Sequence, residues 1–494
     1  MKNLQSILPS DILEIQNNRD AAVYDVTCDS RNVTRGAFFV ALSGAKADGS
    51  EFINEAIRKG ACAVICEKVP QQTDVPCIRV PNARKALSEV ASKFFDHPDR
   101  KATIFGITGT KGKTTSSYLI QSILKSHFGM AFRFGTVEYD LWFDKRPAKN
   151  TTPESVEIFR LLDECLKRDV RSGVMEVSSH ALKTWRVENL ALSAAGFSNL
   201  SLEHTEFHPT MQDYFEAKKR LFTELLPDSS PAVVFIDDEW GEKLAEDCKS
   251  AGKNIVTVSV SNQSANFFAH NISFSPTKTQ FSIMHRGKSF PLSINLPGPF
   301  NLKNALLSAT LTHSTGIDLE TIAYGLEKVT NVPGRFETIS NTKNLMVVVD
   351  YAHSPDSLKN VIEAARAMTE KRIITVFGCG GDRSHEKRPI MGKIAASLAD
   401  VVIVTSDNPR SEDPEKIISE ISAGIDKIHP VDRAVVHKIP DRKSAIETAI
   451  NMAHPGDIVL IAGKGHESGQ IFSDHTIPFD DRKVAREVLE KSSQ

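Results

Sequence analysis

The 494-residue sequence contains no apolar run close to the roughly 20 residues that cross a bilayer. Its first residues, Met1 to Gln5, lack the apolar core of a signal peptide. The net charge of −2 is too small to indicate a nucleic acid or a membrane surface as a partner. We therefore expect a cytoplasmic protein that neither binds nucleic acid nor inserts into a membrane.

Cysteine is scarce, and its seven positions are scattered along the chain. Cys62 and Cys66 are close in sequence, but no second pair of cysteines or histidines completes a zinc site. We expect the cysteines to be free thiols without a metal. Charged residues make up 25% of the chain and hydrophobic residues 40%, which is ordinary for a globular protein of two to four domains.

The most informative segment of the sequence is a loop that contains two glycines. It consists of Gly109, Thr110, Lys111, Gly112, Lys113, Thr114 and Thr115. The apolar run 102–107 before it predicts a buried strand, and residues 116–124 after it have helical apolar spacing. Backbone N–H groups in such a loop bind phosphate, while a lysine and a threonine at these positions reach the terminal phosphates and Mg²⁺. The segment predicts a nucleoside triphosphate site, with a chance Gly-Lys-Thr as the alternative.

This loop is a shortened variant of the P-loop, because Ile107 stands where the general spacing has a glycine. Breaks near His97–Asp99 and Asn331–Gly334 divide the chain into blocks 1–98, 99–332 and 333–494. The middle block contains the P-loop. Its stretch 250–292 has β alternation, which we interpret as a small antiparallel excursion.

The third block alternates strands with helices. Strands are predicted at 345–349, 373–377, 401–405 and 458–462, and the pattern favours a parallel, Rossmann-like sheet. Ligands bind at the carboxyl ends of such strands. The segments that follow these strands are polar or rich in glycine: 350–353, 378–383, 406–410 and 463–467. The expected fold is α/β with three domains, a central P-loop ATPase-type sheet that is mostly parallel, and a C-terminal Rossmann-like domain.

Several acidic and basic residues are candidates for the site. Glu176 ends an apolar strand and could hold Mg²⁺ together with the P-loop hydroxyl, or it could be a capping acid. The run 199–208 gathers two histidines and two glutamates, whose spacing suits the edge of a Mg²⁺ site better than a zinc site. Lys218 lies on an amphipathic helix with a basic face, so physical reasoning alone predicts a solvated side chain. Arg335 could reach a γ-phosphate or pair with a surface acid.

Together these segments resemble the Mur ligases, which are ATP-dependent, three-domain enzymes that form amide bonds in peptidoglycan assembly. The shared segments are 109–115, 176–180, 199–208, 299–301 with Asn304, and 350–353. Segments within 29–49, 150–153 and 378–383 are similar to those of the member that adds the third residue of the stem peptide.

The resemblance implies a domain for each substrate, with 1–98 for the UDP-sugar, 99–332 for ATP and 333–494 for the amino acid. The residues implied to bind ATP are Gly109, Thr110, Lys111, Gly112, Lys113, Thr114, Thr115, Asn301, Asn304, Arg335 and Asp350. Those implied to bind UDP-N-acetylmuramoyl-L-alanyl-D-glutamate are Ser30, Ala45, Lys46, Ala47, Asn150, Thr151, Thr152, Ser178 and Arg186. The implied catalytic set is Lys113, Glu176, His204, Lys218 and Arg335.

The resemblance also overturns the interpretation of Lys218, which aligns with a lysine that this family carbamylates. As a carbamate, Lys218 would help to hold Mg²⁺ beside Thr114, Glu176 and His204. Two residues depart from the family pattern: Glu203 stands where aspartate is usual, and Thr184 stands where some members have glutamine.

The choice of amino acid depends on the segment Asp407–Arg410, which resembles the signature of members that add meso-diaminopimelate. The residues expected to bind this amino acid are Arg383, Asp407, Asn408, Pro409, Arg410, Gly463 and Glu467. Diaminopimelate carries a second carboxylate and ammonium. Arginines can bind that carboxylate, and lysine lacks it, so a buried arginine would lose its partner if lysine bound.

We expect a monomer that phosphorylates the D-glutamyl carboxylate with ATP and joins the resulting acyl phosphate to diaminopimelate. Two alternatives remain at this stage. A folylpolyglutamate-synthase-like ligase should lack both the UDP-binding block and the segment Asp407–Arg410. A regulator without catalytic activity could dispense with Lys113, Glu176 and Lys218, all of which are present.

Overall fold

The computed structural model describes residues 1–44, 48–69, 73–203 and 207–491. Two compact units are present. The first comprises residues 1–200, 204–268 and 306–325, and the second comprises 201–203, 269–305 and 326–494. Each unit is described by itself.

The N-terminal block forms a small sheet with the strand order β2-β7-β6-β5-β4. The strands are β1 (Lys2–Asn3), β2 (Glu14–Gln16), β3 (Ala22–Val23), β4 (Asp25–Thr27), β5 (Ala37–Val40), β6 (Ala63–Cys66) and β7 (Cys77–Arg79). The helices are α1 (Ile53–Arg58) and α2 (Ala83–Phe94). Asn82 caps α2 by accepting a hydrogen bond from the backbone N–H of Lys85 at 3.0 Å, which satisfies one donor of its first turn.

The middle block contains the P-loop and the following elements. The strands are β8 (Thr103–Thr108), β9 (Phe132–Phe134), β10 (Glu138–Asp140), β11 (Lys145–Pro147), β12 (Ser172–Glu176), β13 (Ala194–Phe197), β14 (Ala232–Phe235), β15 (Ile255–Ser259), β16 (Phe267–Phe274), β17 (Thr279–His285) and β18 (Lys288–Ile294). The helices are α3 (Lys113–Phe128), α4 (Ser155–Leu166), α5 (Ser179–Lys183), α6 (Met211–Arg220), α7 (Glu239–Ser250), α8 (Pro299–His313) and α9 (Leu319–Glu327). A π-helical turn, Leu221–Leu225, follows α6.

Strand β8 lies inside the parallel sheet of the first unit. It pairs in parallel with β12 on one side and with β13 on the other. All but the first of its residues are buried, as the apolar run 102–107 predicts. Because parallel strands end at the same edge, the P-loop after β8 lies beside Glu176 at the end of β12 and residue 198 after β13.

The prediction of an antiparallel excursion at 250–292 is partly wrong. Strands β17 and β18 do form an antiparallel hairpin. Strand β15, however, pairs in parallel with β14 and with the start of β16. Alternation of polar and apolar residues identifies a strand but carries no information on its direction, which here follows from the crossover through α7.

The C-terminal block forms a separate sheet with the order β19-β20-β24-β21-β22-β23. Its strands are β19 (Glu337–Ile339), β20 (Met346–Asp350), β21 (Ile373–Phe377), β22 (Val401–Val404), β23 (Val435–Lys438), β24 (Ile458–Ala462), β25 (Gly469–Ile471) and β26 (Thr476–Pro478). Its helices are α10 (Pro355–Arg366), α11 (Lys387–Leu398), α12 (Pro414–Ile425), α13 (Arg442–Met452) and α14 (Asp481–Lys491). All pairs from β20 to β23 are parallel, and β19 is antiparallel to β20, which confirms the Rossmann-like prediction.

Alternation along the strands places a hydrophobic core on each face of this sheet. Val348 packs in the core beside α10, α11 and α12, while its neighbours Val347 and Val349 pack in the core beside α13 and α14. A strand covered on both faces must be apolar throughout, which explains the continuous apolar runs in the sequence.

All seven cysteines are free thiols, as expected. Cys66 and Cys77 lie on adjacent buried strands with their sulfurs 3.3 Å apart. Within the described ranges, no helix combines the length and apolarity needed to span a membrane.

Candidate active site

The P-loop is held in place by the segment that follows β13. Asn199 accepts hydrogen bonds from two loop N–H groups, from Thr110 to its carbonyl at 2.9 Å and from Lys111 to its side-chain oxygen at 3.0 Å. The hydroxyl of Ser198 and the amide of Asn199 both donate to the carbonyl oxygen of Lys111, at 2.6 and 3.2 Å. The loop is therefore fixed at its middle before a phosphate group reaches it.

Only glycine fits at position 109, because of both its backbone conformation and the atoms around it. Its φ is +143°, a conformation that residues with a side chain rarely adopt. A Cβ atom at this position would lie 1.9 Å from the Oγ of Ser198. Any larger residue would displace the contact between the loop and residue 198.

Glu176 is fully buried, and its carboxylate is held by three donors. The hydroxyls of Thr114 and Thr136 donate to Oε2 at 3.1 and 2.8 Å, and the backbone N–H of Thr136 donates to Oε1 at 3.1 Å. Gly135 permits this approach, since a Cβ there would lie 2.2 Å from Oε1. The structure thus brings together two of the predicted Mg²⁺ ligands, Thr114 and Glu176.

Hydroxyl and carboxylate oxygens are the donors that Mg²⁺ prefers, so this pair fits the predicted ion. No cluster of three or more His, Cys, Asp or Glu side chains suited to a metal occurs among the described residues. His204, the third predicted ligand, lies outside the described residues. Lys218, the fourth, has a side-chain nitrogen that donates to the carbonyl oxygen of Gly109, so it would join an Mg²⁺ site only as a carbamate, which supplies oxygen ligands.

Lys218 is buried, with 1% of its surface exposed, so the prediction of a solvated side chain from physical reasoning alone is wrong. Along α6 and the turn after it, the buried positions are Tyr214, Phe215, Lys218, Leu221 and Phe222. This spacing is the apolar face of a helix, and Lys218 occupies one of its positions. Its ammonium lies 4.5 Å from the centre of the Tyr214 ring and donates to the carbonyl oxygen of Gly109 at 2.9 Å.

Lys113 at the start of α3 donates to the same carbonyl of Gly109 at 2.8 Å and to that of Thr110 at 3.0 Å. The two lysines of the predicted catalytic set therefore meet at the first residue of the P-loop.

The residues predicted to bind the muramoyl-dipeptide lie next to Glu176. Thr152 donates to the carbonyl oxygen of Glu176 at 2.8 Å and accepts from the N–H of Ser178 at 3.0 Å. Arg186 donates to the carbonyl of Thr152 at 3.1 Å, and the hydroxyl oxygens of Thr136 and Thr151 lie 3.1 Å apart. The backbone oxygen of Asn150 accepts from the Tyr139 hydroxyl at 2.8 Å.

Ser30 begins a short 3-10 turn of the N-terminal block, and its carbonyl accepts from Lys59 at 3.0 Å. The other residues predicted to bind the uridine nucleotide, Ala45, Lys46 and Ala47, lie outside the described residues.

In the second unit, the predicted nucleotide-binding residues occupy two places. Asn301 and Asn304 are buried in the first turns of α8, where Asn301 donates to the carbonyl of Pro297 at 2.8 Å. Asp350 ends β20 and accepts from the N–H of Phe336 at 2.7 Å. The guanidinium of Arg335 stacks on the ring of Tyr351 at 4.7 Å.

His466 contacts the same tyrosine, with its ring 5.1 Å from that of Tyr351. Burial, followed by the positive charges of Arg335 and Arg482, lowers the pKa of His466 to about 4. The imidazole is therefore neutral at neutral pH.

The residues predicted to bind diaminopimelate converge at the carboxyl ends of β22 and β24. Asn408 donates to Oε2 of Glu467 at 2.8 Å, and Arg410 donates to the carbonyl of Gly381 at 2.7 Å. A Cβ on Gly463 would lie 2.6 Å from a carboxylate oxygen of Asp407, so these two residues are in close contact. The residue Pro409 connects Asn408 to Arg410, which has a φ of +53°.

Arg383 approaches the same place from the loop after β21. A Cβ on Gly380 would lie 2.8 Å from a guanidinium nitrogen of Arg410 and 3.8 Å from the Cγ of Arg383. Arg383 is exposed, in contrast to the buried Asp407 and Asn408. The two arginines thus flank one glycine at the sheet edge.

Three regions of the chain match family profiles. A profile described as the Mur ligase middle domain matches residues 107–312, and one described as the Mur ligase glutamate ligase domain matches residues 334–465. A third, the Mur ligase family catalytic domain, matches residues 22–95. The UDP-N-acetylmuramoyl-L-alanyl-D-glutamate–2,6-diaminopimelate ligase of Solibacter usitatus is 42% identical over 496 residues, covering 99% of this chain and 98% of that protein. The chain belongs to the Mur ligase family.

Solved structures of Mur ligases share the fold, which confirms the predicted fold class. A structure of a UDP-N-acetylmuramoyl-L-alanyl-D-glutamate–2,6-diaminopimelate ligase matches with a TM-score of 0.70 and 31% identity, over 96% of both chains. The MurF ligase from Thermotoga maritima, solved with ADP, matches in fold with a TM-score of 0.63 at 19% identity, over 95% of this chain and 99% of that one.

Sequence reasoning missed two side chains of this Mur ligase that contact predicted site residues and a third that supports the backbone beside them. Thr136 holds Glu176, as described above. Lys464 contacts both Asn408 and Glu467. Arg442 pairs with Asp481 and donates to the carbonyls of Ser406, just after β22, and Ala462 at the end of β24. A lysine between two glycines after a predicted strand was a usable signal for Lys464, whereas Arg442 carries none.

Of the two departures from the family pattern, Thr184 bonds within its own helix. Its hydroxyl donates to the carbonyl of His180 at 2.6 Å. Glu203 lies in the second unit, four residues after Asn199 in the sequence.

Proposed function

We propose that this Mur ligase joins meso-diaminopimelate to UDP-N-acetylmuramoyl-L-alanyl-D-glutamate with hydrolysis of ATP to ADP and phosphate. Family membership supports the reaction class. The observation that carries the choice of amino acid is the cluster of Asn408, Arg410 and Glu467 at the carboxyl ends of β22 and β24.

The reaction proceeds in two steps. An oxygen of the D-glutamyl γ-carboxylate attacks the γ-phosphorus of ATP, the bond to ADP breaks, and an acyl phosphate forms. The amine of diaminopimelate loses a proton to water and attacks the acyl carbon, and the attached nitrogen then loses a second proton to water. The tetrahedral intermediate expels phosphate, and the amide remains.

Electrostatic stabilisation comes from the P-loop side of the first unit. Lys113 neutralises charge on the transferred phosphoryl group, and the N–H groups at the start of α3 bind phosphate oxygens. Thr114 and Glu176 would hold Mg²⁺, which supplies further charge neutralisation when bound, and His204 with Lys218 as a carbamate would complete the set. The family resemblance also implies nucleotide contacts for Arg335, Asn301, Asn304 and Asp350.

The muramoyl-dipeptide lies along the residues after β11 and β12. Arg186 and Ser178 are placed beside Thr152, whose carbonyl and hydroxyl connect them to Glu176. Residues that touch Glu176 and the dipeptide at once can orient the γ-carboxylate toward the transferred phosphoryl group, and orientation of this kind lowers the barrier. Residues 1–98 supply the uridine contacts, including Ser30, and 333–494 supply those to the amino acid.

Selectivity for diaminopimelate arises from paired charges. Arg410 and Arg383 bind the distal carboxylate, and Glu467 accepts from the distal ammonium. Neither arginine is buried as the sequence analysis expected, because Arg383 is exposed and Arg410 is partly buried. Lysine would leave both without the distal carboxylate, which disfavours lysine by about 3 kcal/mol, or roughly a hundredfold in rate.

The test is phosphate release by the purified protein with ATP, Mg²⁺ and UDP-muramoyl-dipeptide, while meso-diaminopimelate or L-lysine is supplied in turn. We expect release that depends on diaminopimelate and is at least about a hundredfold less efficient with lysine. Preference for lysine overturns the specificity, and release that no amine stimulates overturns the activity. Lys113→Ala serves as the inactive control.

A further inference from the structure

Lys464 is a buried lysine that touches two of the predicted amino-acid-binding residues. It follows β24, between Gly463 and Gly465, and its side chain has no exposed surface. Its ammonium donates to Oδ1 of Asn408 at 2.9 Å, to Oε2 of Glu467 at 3.0 Å and to the carbonyl of Gly469 at 2.7 Å. An ammonium has three donors, so all of them are used inside the protein.

These contacts determine how the side chain of Asn408 is oriented. Its oxygen accepts from Lys464 and from the N–H of Ile471 at 3.0 Å, and its nitrogen donates to Oε2 of Glu467 at 2.8 Å. A flipped amide would place its nitrogen against two donors. The buried ammonium therefore fixes the orientation of Asn408, which in turn holds Glu467.

The same contacts determine which oxygen of Glu467 faces the substrate. Oε2 accepts hydrogen bonds from both Asn408 and Lys464, while one third of the Glu467 side chain is exposed. The other oxygen, Oε1, takes part in neither of these bonds. A carboxylate that is held by hydrogen bonds to one oxygen presents its other oxygen as a hydrogen-bond acceptor in a fixed direction.

We infer that Lys464 is a positioning residue for amino-acid selection, which acts by holding Asn408 and Glu467 so that Oε1 of Glu467 accepts from the distal ammonium of diaminopimelate. This inference rests on the proposed function. Lys464 does not touch the substrate, since its donors are used within the protein.

A buried lysine in a merely structural role would produce a different pattern of kinetic effects. Loss of a structural lysine lowers the amount of folded protein and affects all substrates alike. Loss of a positioning lysine raises KM for one substrate. The size of this effect depends on whether the residue through which the lysine acts is still present. The two roles can therefore be separated by steady-state kinetics.

The experiment measures phosphate release by the full chain with Lys464→Met, Glu467→Gln and the double variant, at varied concentrations of each substrate. For Lys464→Met we expect KM for diaminopimelate to rise by about thirtyfold and kcat to change by less than about threefold. KM for ATP and for UDP-muramoyl-dipeptide should stay within about twofold of wild type. In the Glu467→Gln background, the same change at Lys464 should raise KM for diaminopimelate by less than about threefold.

Lys253 offers a matched control. It is also a largely buried lysine, and it donates to the carbonyl of Leu226 at 2.9 Å and to the carboxylate of Asp228 at 2.6 Å, away from the amino-acid loops. Lys253→Met should leave KM for diaminopimelate unchanged. If Lys464→Met does not fold, the experiment uses Lys464→Gln in its place, because the glutamine amide can still donate to the carbonyl of Gly469.

An effect of Lys464→Met that is equal in both backgrounds, or that raises KM for all three substrates, overturns the inference. An unchanged KM for diaminopimelate does so too. Failure of the proposed function is a separate result, because the wild-type protein would then release no phosphate in response to diaminopimelate.

Discussion

Lys113 and Lys218 donate to one and the same oxygen, the carbonyl of Gly109, at 2.8 and 2.9 Å. One lysine comes from the P-loop helix and the other from the apolar face of α6. Two ammonium groups so placed repel each other. Conversion of Lys218 to a carbamate would remove this repulsion and place an anion beside Lys113, which gives a physical reason for the modification that the family resemblance implies.

The first prediction concerns this modification. Lys218→Arg keeps the positive charge but cannot be carbamylated, so we expect its kcat to fall at least about a hundredfold, as for Lys218→Ala. Protein prepared with ¹³C-bicarbonate should show a carbamate carbon signal by NMR that is absent from both variants. Wild-type activity in Lys218→Arg would contradict the assignment, and Lys219→Arg, one residue along the same helix, is the control.

The second prediction concerns the magnesium requirement. Glu176→Gln keeps the shape of the side chain but removes its charge, so we expect kcat/KM for ATP to fall about a hundredfold or more. A higher Mg²⁺ concentration should restore part of the loss, because the variant weakens binding of the ion. Initial rates over a Mg²⁺ titration measure this. An unaltered Mg²⁺ dependence would show that Glu176 is a structural acid.

The third prediction concerns the choice of amino acid. Arg410→Ala removes the group expected to bind the distal carboxylate, so KM for diaminopimelate should rise about a hundredfold, while the use of lysine should not fall. Competition between the two amino acids measures the ratio directly. Arg433→Ala, which removes a partly exposed arginine paired with Asp426 in the same block, should leave the ratio unchanged.

The fourth prediction concerns pH and stability. Because the pKa of His466 is lowered from 6.5 to about 4, the unfolded chain binds more protons than the folded chain between these values. The contribution of His466 to stability is therefore complete above about pH 6.5 and is lost as the pH falls toward 4, by up to roughly 3 kcal/mol. Urea unfolding at pH 7 and pH 5 should show a smaller decrease for His466→Gln than for wild type.

The fifth prediction concerns the buried ion pair of Arg442 and Asp481, neither of whose side chains is exposed. Arg442→Met leaves Asp481 buried without a partner and should cost about 3–5 kcal/mol of unfolding free energy. The double variant Arg442→Met with Asp481→Leu should recover part of this loss. If the double variant is as unstable as the single one, the loss comes from the carbonyl contacts of Arg442 and not from the unpaired carboxylate.

The parts of the molecule that sequence predicts well are those that depend on local order. The strand, glycine loop and helix around Gly109–Thr115 follow one another in the chain, so their pattern was sufficient. The parallel strands of the C-terminal block were equally readable, because strands covered on both faces are continuous apolar runs. The direction of β15 could not be predicted, since polar and apolar residues alternate in the same way in parallel and antiparallel strands.

Long-range contacts explain what the sequence concealed. The charge of Lys218 predicts an exposed side chain. Its spacing from Tyr214 and Phe222, however, places it on the buried face of the helix. Lys464 contacts Asn408, 56 positions away, and Arg442 contacts Ala462, 20 positions away, and no local pattern marks such distant partners. The roles assigned to the site residues and the domain boundaries at 98 and 332 stay predictions, as do the monomeric state and the cytoplasmic location.

The position of β24 in the C-terminal sheet has a consequence for synthesis of the protein. β24 is the last strand of that sheet in chain order, yet it lies between β20 and β21, which are made about a hundred residues earlier. When synthesis has reached β23, the strand that pairs with both β20 and β21 has not yet been made. Parallel pairing between strands so far apart in sequence is slow. The amino-acid site, which includes Lys464 after β24, can therefore form only after β24 has been made, and until then one edge of β20 and one edge of β21 have no partner strand.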